Sequence, residues 1–493
     1  MRSNPIQSLL SLLVPVIAIV AILLCSNTSF DFISHKAANI NIYRAVVILG
    51  IISLPLILIL VSNKDFRQQP TTCKLLIIST SLFVISLNFN LHFNYIFTCV
   101  FGTGLLIYFI FNRKYYKPNT LHILLFVYTA INALSLLWTS DLKSGFYWLK
   151  LQMAFIYFPL AFCLFRLDKK QFDIILISIF RWMILFAVLS VCSWILQSRA
   201  LEIPLSEAFI MSKHMFVGIY QPFDVVFAWS NFYHPTYISV TLMLGLSIGW
   251  YYALKNNVKG YELAFYTLIV LLIAILTQSR FMIVAWLLVN ILFVVYMLKT
   301  KPKLQWVVIV IITLIAAFAL AFYPNKIKNF FSDTVRIAHY KAAFEAIEDN
   351  PFLGTGLGGM TKYINSDNIV YQHIKDAQII SIMGDTPRNE EDMSILRKQV
   401  NIDFIGLNPH NQLIGDFMQT GILGFLSILS IIIYVSYLCI RQKNQLLFCF
   451  FSVFFLLMII EMPLMVENGI MCFAFMLCLL NQYNPIWERD TKH

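Results

Sequence analysis

Apolar runs of about 17–25 residues recur along the whole chain, the length at which an α-helix crosses the hydrocarbon core of a bilayer. Read by length and by where charge interrupts them, the spans fall near 8–25, 43–62, 72–88, 92–111, 120–138, 148–166, 174–197, 234–254, 263–279, 281–298, 304–323, 415–440, 446–461 and 465–481. Of the 493 residues, 59% are hydrophobic and 12% charged, against about 25% charged in ordinary soluble domains. Backbone inside a bilayer must satisfy its own hydrogen bonds, so a spanning chain is helical or a closed barrel. The strand alternation of a membrane barrel is absent. The sequence therefore predicts an all-α polytopic membrane protein of about 12–14 transmembrane helices. The start, MRSNPIQ and an apolar run to Cys25, lacks an A-x-A-like cleavage site and is expected to stay as the first helix.

A net charge of +11 would suggest a nucleic-acid partner in a soluble protein. Here the cations sit mostly in short loops on one side, and membrane lipids replace nucleic acid as the expected surroundings. With the N-terminus inside, the inner loops hold Lys64, Arg67, Lys74, Arg113, Lys114, Lys117, Arg166, Lys169, Lys170, Lys255, Lys259, Lys299, Lys301, Lys303, Arg441 and Lys443. The short outer loops hold little beyond Lys36, Lys143, Arg199 and Lys213. This bias orients the chain with both termini cytoplasmic. The nine cysteines lie in or beside apolar spans and form no CxxC, so neither a disulfide framework nor a thiolate metal site is expected.

One long polar interruption breaks the pattern. The expected organisation is an N-terminal transmembrane bundle over 1–323, an outer loop over 324–410 carrying the chemistry, and C-terminal transmembrane helices over 411–493. Loops of that length are usually functional or disordered. This one carries Gly354, Gly356, Gly358 and Gly359, then Pro409-His410-Asn411, then Gly421-x-x-Gly424 as the chain re-enters apolar sequence. Gly354, Gly356, Gly358 and Gly359 lack the strand and the GK[ST] context of a phosphate loop, so they are read as tight turns folding the loop back over the membrane face.

Four positions stand out for chemistry. Arg280 lies between two apolar spans with almost no loop. It either snorkels to the surface or faces a cavity or partner, where its guanidinium can grip phosphate oxygens in a fork. Arg336 opens a helical spacing of Val335, Ala338, Ala342 and Ala346; alone it reads as a solvated charge, and it gains weight if the substrate is anionic. His410 follows a stiff proline, with Asn411 offering an orienting amide and Asp416 starting the next helix. Imidazole takes a proton near neutral pH, whereas a structural histidine at a helix start is the plainer alternative. His234, in Asn231-Phe-Tyr-His-Pro235 at a helix mouth, is a supporting candidate among aromatics that otherwise read as interface anchors. There is no HExxH, and Glu390-Glu391-Asp392 reads as a solvated face; no metal or cofactor is expected.

Taken in order, Ser279-Arg280, Arg336, Pro351-x-x-Gly354-x-Gly356-x-Gly358, Pro409-His410-Asn411 and Gly421-x-x-Gly424 resemble the O-antigen ligase and polymerase superfamily of bacterial envelope glycosyltransferases. The likeness covers about residues 270–480. It implies a GT-C-like bundle in the inner membrane with one large periplasmic loop. It implies an undecaprenyl-diphosphate-linked glycan as donor, Arg280 and Arg336 on the diphosphate, His410 as the base, and no metal ion. The polar insert Tyr363 to Leu407 is longer than the family pattern needs and suggests an acceptor-specific lid.

Within that family three reactions stay open: ligation to lipid A-core, polymerisation onto a growing glycan, and transfer to a protein hydroxyl. The single dominant loop favours the ligase, while the outer loop 198–233 keeps the polymerase in play. A lipid-linked glycan flippase or transporter is the alternative from another class. Internal repeats and paired broken helices would mark it, and none is seen.

Overall fold

The computed structural model describes residues 50, 52–89, 91–200, 204, 235–277, 279–298, 334–360 and 409–483. The expected spans 8–25 and 304–323, most of the loop 198–233 with His234, and the insert 363–407 lie outside these residues. Among the described residues the helices, in chain order, begin with α1 (Ile52–Ser62), α2 (Lys64–Arg67), α3 (Thr71–Ser86), α4 (Leu91–Asn112) and α5 (Thr120–Leu134). Next come α6 (Leu142–Gln152), α7 (Ala154–Ala161), α8 (Lys169–Ala200), α9 (Pro235–Leu254), α10 (Gly260–Leu276) and α11 (Arg280–Leu298). The last four are α12 (Thr334–Asp349), α13 (Gln412–Gln442), α14 (Gln445–Ile460) and α15 (Glu467–Asn481). Among the described residues six helices are long and apolar enough to cross a membrane, and five shorter ones are apolar. The protein is an all-α polytopic membrane protein, as expected from the recurring apolar runs.

One expected span is drawn differently. In place of a single helix over 148–166, the chain forms α6 from Leu142, breaks at Met153, and continues as α7 with Pro159 inside it. Asp141 caps α6 by accepting the Ser144 N–H, which starts the helix earlier than the apolar run does. A side-chain cap outcompetes hydropathy as a start signal.

Lipid gives no hydrophobic drive between helices, so close packing and interhelical hydrogen bonds hold the bundle. Aromatic rings fill its centre. The Phe83 ring centroid lies 5.1 Å from that of Phe158 and 4.5 Å from that of Phe475, joining α3, α7 and α15 in one core. Asparagines tie the helix turns: Asn94 donates to Asn468, and Asn468 donates to the Leu87 and Phe89 carbonyls at 3.2 Å each.

Hydrogen bonds at the helix termini sort the bundle into two ends. Tyr252, near the C-terminus of α9, donates to Asp173 near the N-terminus of α8 at 2.6 Å. Just before α8, the Leu167 N–H donates to Gln482, just past α15, at 2.9 Å. Gln442, closing α13, donates to Asn481, closing α15, at 3.2 Å. These termini share one end with the loops carrying Arg113, Lys114, Lys117, Arg166, Lys169 and Lys170, and it is called here the basic end. From it α10 runs away and α11 returns, as Trp286 on α11 donating to the Thr267 carbonyl on α10 (3.1 Å) and Trp250 on α9 donating to Asn290 on α11 (2.9 Å) require. Arg280, the first residue of α11, therefore lies at the opposite end. There α13 begins after His410 and α14 finishes before Glu461.

Candidate active site

The far end of the bundle is built around a break in α13. Gly421 has φ 64° and ψ −158° inside an otherwise helical run, a conformation open to glycine and costly for residues with a Cβ. In an unbroken helix the Met418 carbonyl would accept the Ile422 N–H. Here Ile422 donates instead to the Pro351 carbonyl at 3.0 Å, and Met418 and Gln419 accept from Thr355 (2.9 Å) and Gly356 (2.8 Å). The glycine segment 351–359 thus takes over the hydrogen bonds that the break releases.

The same segment is fastened on its other side. The Leu357 N–H donates to Ser135 Oγ at 3.0 Å, and Trp138 Nε1 donates to the Leu353 carbonyl at 2.9 Å. Gly354, Gly356 and Gly358 all have positive φ. At Gly356 a Cβ would fall 2.4 Å from Thr139 Cα. The glycines do make tight turns, as expected, and the structure adds their purpose: they let backbone lie directly on backbone across α13 and the turn before α6.

Leading into this segment, α12 packs against α13. Its buried face carries His339, Ala342, Ala343, Ala346 and Ile347, a helical stripe. Arg336 lies on α12 one turn before His339. The His339 ring centroid is 5.6 Å from that of His410, edge to face.

His410 sits between Pro409 and the first residues of α13 with φ 47°. Left-handed backbone at a non-glycine residue costs energy and concentrates at functional sites. Its Nδ1 lies 2.9 Å from Glu461 Oε2, both side chains partly buried. A carboxylate at this place accepts from a proton-bearing Nδ1, an arrangement that would leave Nε2 turned away from Glu461 to take a proton from a substrate. Asn411 is engaged elsewhere: its Oδ1 caps α13 by accepting the Ile414 N–H (3.1 Å), and its Nδ2 donates to the Ile459 carbonyl (3.1 Å). It fixes the start of α13 beside His410, while Glu461 is the partner of the ring.

Asp416 is one turn into α13 and buried. It accepts from Tyr128 Oη on α5 (2.9 Å) and from Gln412 Nε2 (3.1 and 3.2 Å). Gln412 Oε1 in turn accepts the Leu464 N–H at 2.9 Å. This network locks the N-terminus of α13 to α5 and to the short 3₁₀ turn Pro463–Met465, and so sets the place of His410.

Arg280 is exposed at the N-terminus of α11, where Ser279 Oγ accepts the Met282 N–H at 3.3 Å. A cation at a helix N-terminus opposes the macrodipole, a cost that an anionic ligand would offset. Of the residues singled out in sequence, the structure brings His410, α12 with Arg336 on it, and the glycine segment together, with Arg280 at the same end of the bundle. His234 lies outside the described residues. Sequence reasoning missed Glu461 and His339. For Glu461 there was a signal, a lone carboxylate ending an apolar span in IIEMP.

No curated protein matches the chain. Residues 265–429, which contain Arg280, Arg336, His410 and the Gly421 break, match the family model described as O-antigen ligase, and this match supports the likeness to the O-antigen ligase and polymerase superfamily.

Proposed function

We propose that the protein transfers a glycan from undecaprenyl diphosphate to a hydroxyl of lipid A-core at the periplasmic face of the inner membrane. The coarser part stands on the family match: a glycosyltransferase-like enzyme of the O-antigen ligase and polymerase type in a multi-pass bacterial membrane protein. The observation that carries the rest is the His410–Glu461 contact at the bundle end that also bears Arg280. The crowding of lysine and arginine at the other end supports the periplasmic assignment by the positive-inside rule.

In this reading the outer segment 324–410 supplies the chemistry between two sets of membrane helices. His410 Nε2 accepts the proton of the acceptor hydroxyl as its oxygen bonds to the anomeric carbon. The bond from that carbon to the diphosphate oxygen breaks, and its electron pair leaves with the diphosphate. Glu461 steadies the imidazolium that results. Arg280 and Arg336 hold the diphosphate and stabilise the charge growing on it, as cations prearranged at a departing anion do. The leaving diphosphate is already activated, so no nucleotide is consumed.

Deleting the gene and running surface glycans on a gel tests the reading. A ligase leaves lipid A-core without long glycan and polymer accumulating on undecaprenyl diphosphate. A single repeat unit on core would assign polymerisation instead, and intact lipopolysaccharide with bare proteins would assign transfer to protein.

A further inference from the structure

The end of the bundle remote from His410 contains a cavity of about 430 Å³ that glycan transfer does not use. Its walls come from the loop between α4 and α5, His122 in the first turn of α5, the loop between α7 and α8, and the last residues of α13 and α15 with the two that follow α15. They are fixed by hydrogen bonds rather than by apolar contact alone. The Tyr116 N–H donates to the Cys163 carbonyl at 2.8 Å. Gln482 accepts the Leu167 N–H at 2.9 Å and donates to the Phe165 carbonyl at 3.1 Å.

Two cations line it, Lys117 and Arg166. The Arg166 guanidinium carbon lies 4.8 Å from the Tyr116 ring centroid, a cation–π contact that holds the charge in place. A guanidinium held this way keeps planar N–H donors suited to an oxyanion. The acidic lining residue, Asp168, accepts the Gln171 N–H at 2.8 Å as α8 begins. Lys169 and Lys170 follow it directly in sequence. Phe162, Leu167 and Cys478 give the cavity an apolar side. Cations beside an apolar wall, between helices at the basic end of a membrane protein, match the two halves of an anionic lipid.

We propose that this cavity binds a phosphate-bearing anion, supplied as the headgroup of an anionic phospholipid of the adjoining leaflet. The proposal is independent of the transfer reading. It is tested by native mass spectrometry of the full-length protein in micelles doped equally with phosphatidylglycerol and phosphatidylcholine. The wild-type protein should retain phosphatidylglycerol about tenfold over phosphatidylcholine, as charge-assisted hydrogen bonds to phosphate predict. The pair Lys117→Gln and Arg166→Gln should abolish that preference. Lys117→Gln alone, on an exposed loop, should reduce it even if the pair folds poorly. The pair Lys64→Gln and Arg67→Gln, removing equal charge at the same end, should leave it intact. Millimolar inorganic phosphate that displaces the lipid would support the phosphate site and identify solute as a competing source. Equal retention by wild type and the Lys117 and Arg166 variants, or an equal loss in the Lys64 and Arg67 pair, would overturn the site.

Discussion

Glu461 Oε2 lies 2.9 Å from His410 Nδ1 across 51 residues of sequence. The contact joins the start of α13 to the end of α14, so the antiparallel return of the chain orients the proposed base. His410→Ala is expected to lower transfer by about 10²-fold or more, the usual worth of a general base. Glu461→Gln keeps a side chain of similar shape but removes the charge that stabilises imidazolium, and should cut the rate by roughly tenfold or more. Transfer of a lipid-linked glycan in purified membranes measures both. Wild-type rates in His410→Ala at normal expression would defeat the assignment.

Arg280 is expected to act through the geometry of its guanidinium rather than charge alone. Arg280→Ala should abolish transfer, and Arg280→Lys should recover only part of it because ammonium lacks the planar fork. The defect in Arg280→Lys should appear as a lowered kcat as well as a raised KM for the lipid-linked donor, because the guanidinium both holds the diphosphate and meets its growing charge. A lysine variant with wild-type kinetics would reduce the residue to a surface charge.

The glycine segment and the α13 break should fail together. Gly356→Ala places a Cβ against Thr139 on backbone of φ 78°, costing about 1–2 kcal/mol from the conformation alone. Limited proteolysis should then cut within 351–360, and activity should fall with it. Gly421→Ala should produce the same cleavage, because its Cβ would meet the Phe352 carbonyl oxygen at 2.2 Å. Unchanged protection in both variants would argue against the interlock.

Tyr128→Phe removes the hydroxyl that Asp416 accepts from, and should destabilise the protein by about 1–3 kcal/mol through an underpaired buried carboxylate. Asp416→Ala should cost more, since it strands both Tyr128 and Gln412. Thermal unfolding in detergent checks the order, and equal melting temperatures for both variants and wild type would show that the network contributes nothing.

Much of this was legible in the chain. Apolar runs determine the helices, because a bilayer leaves buried backbone no other partner, and their length and charge flanks can be read directly. His410 and the glycine motifs stood out because proline, glycine and isolated polar residues are conspicuous against apolar sequence. What these motifs do to one another was not legible. Pro351-x-x-Gly354 read as a turn and Gly421-x-x-Gly424 as the lead into the last spans, yet they are two halves of one joint, exchanging hydrogen bonds that a continuous helix would have kept. Glu461 looked like a helix terminus, and Asn411, taken as the orienting group, proved to be a cap. Periodicity is local and survives in one dimension. The pairing of a histidine with a carboxylate depends on which helix ends meet, and that was decided only when α13 and α14 packed against each other.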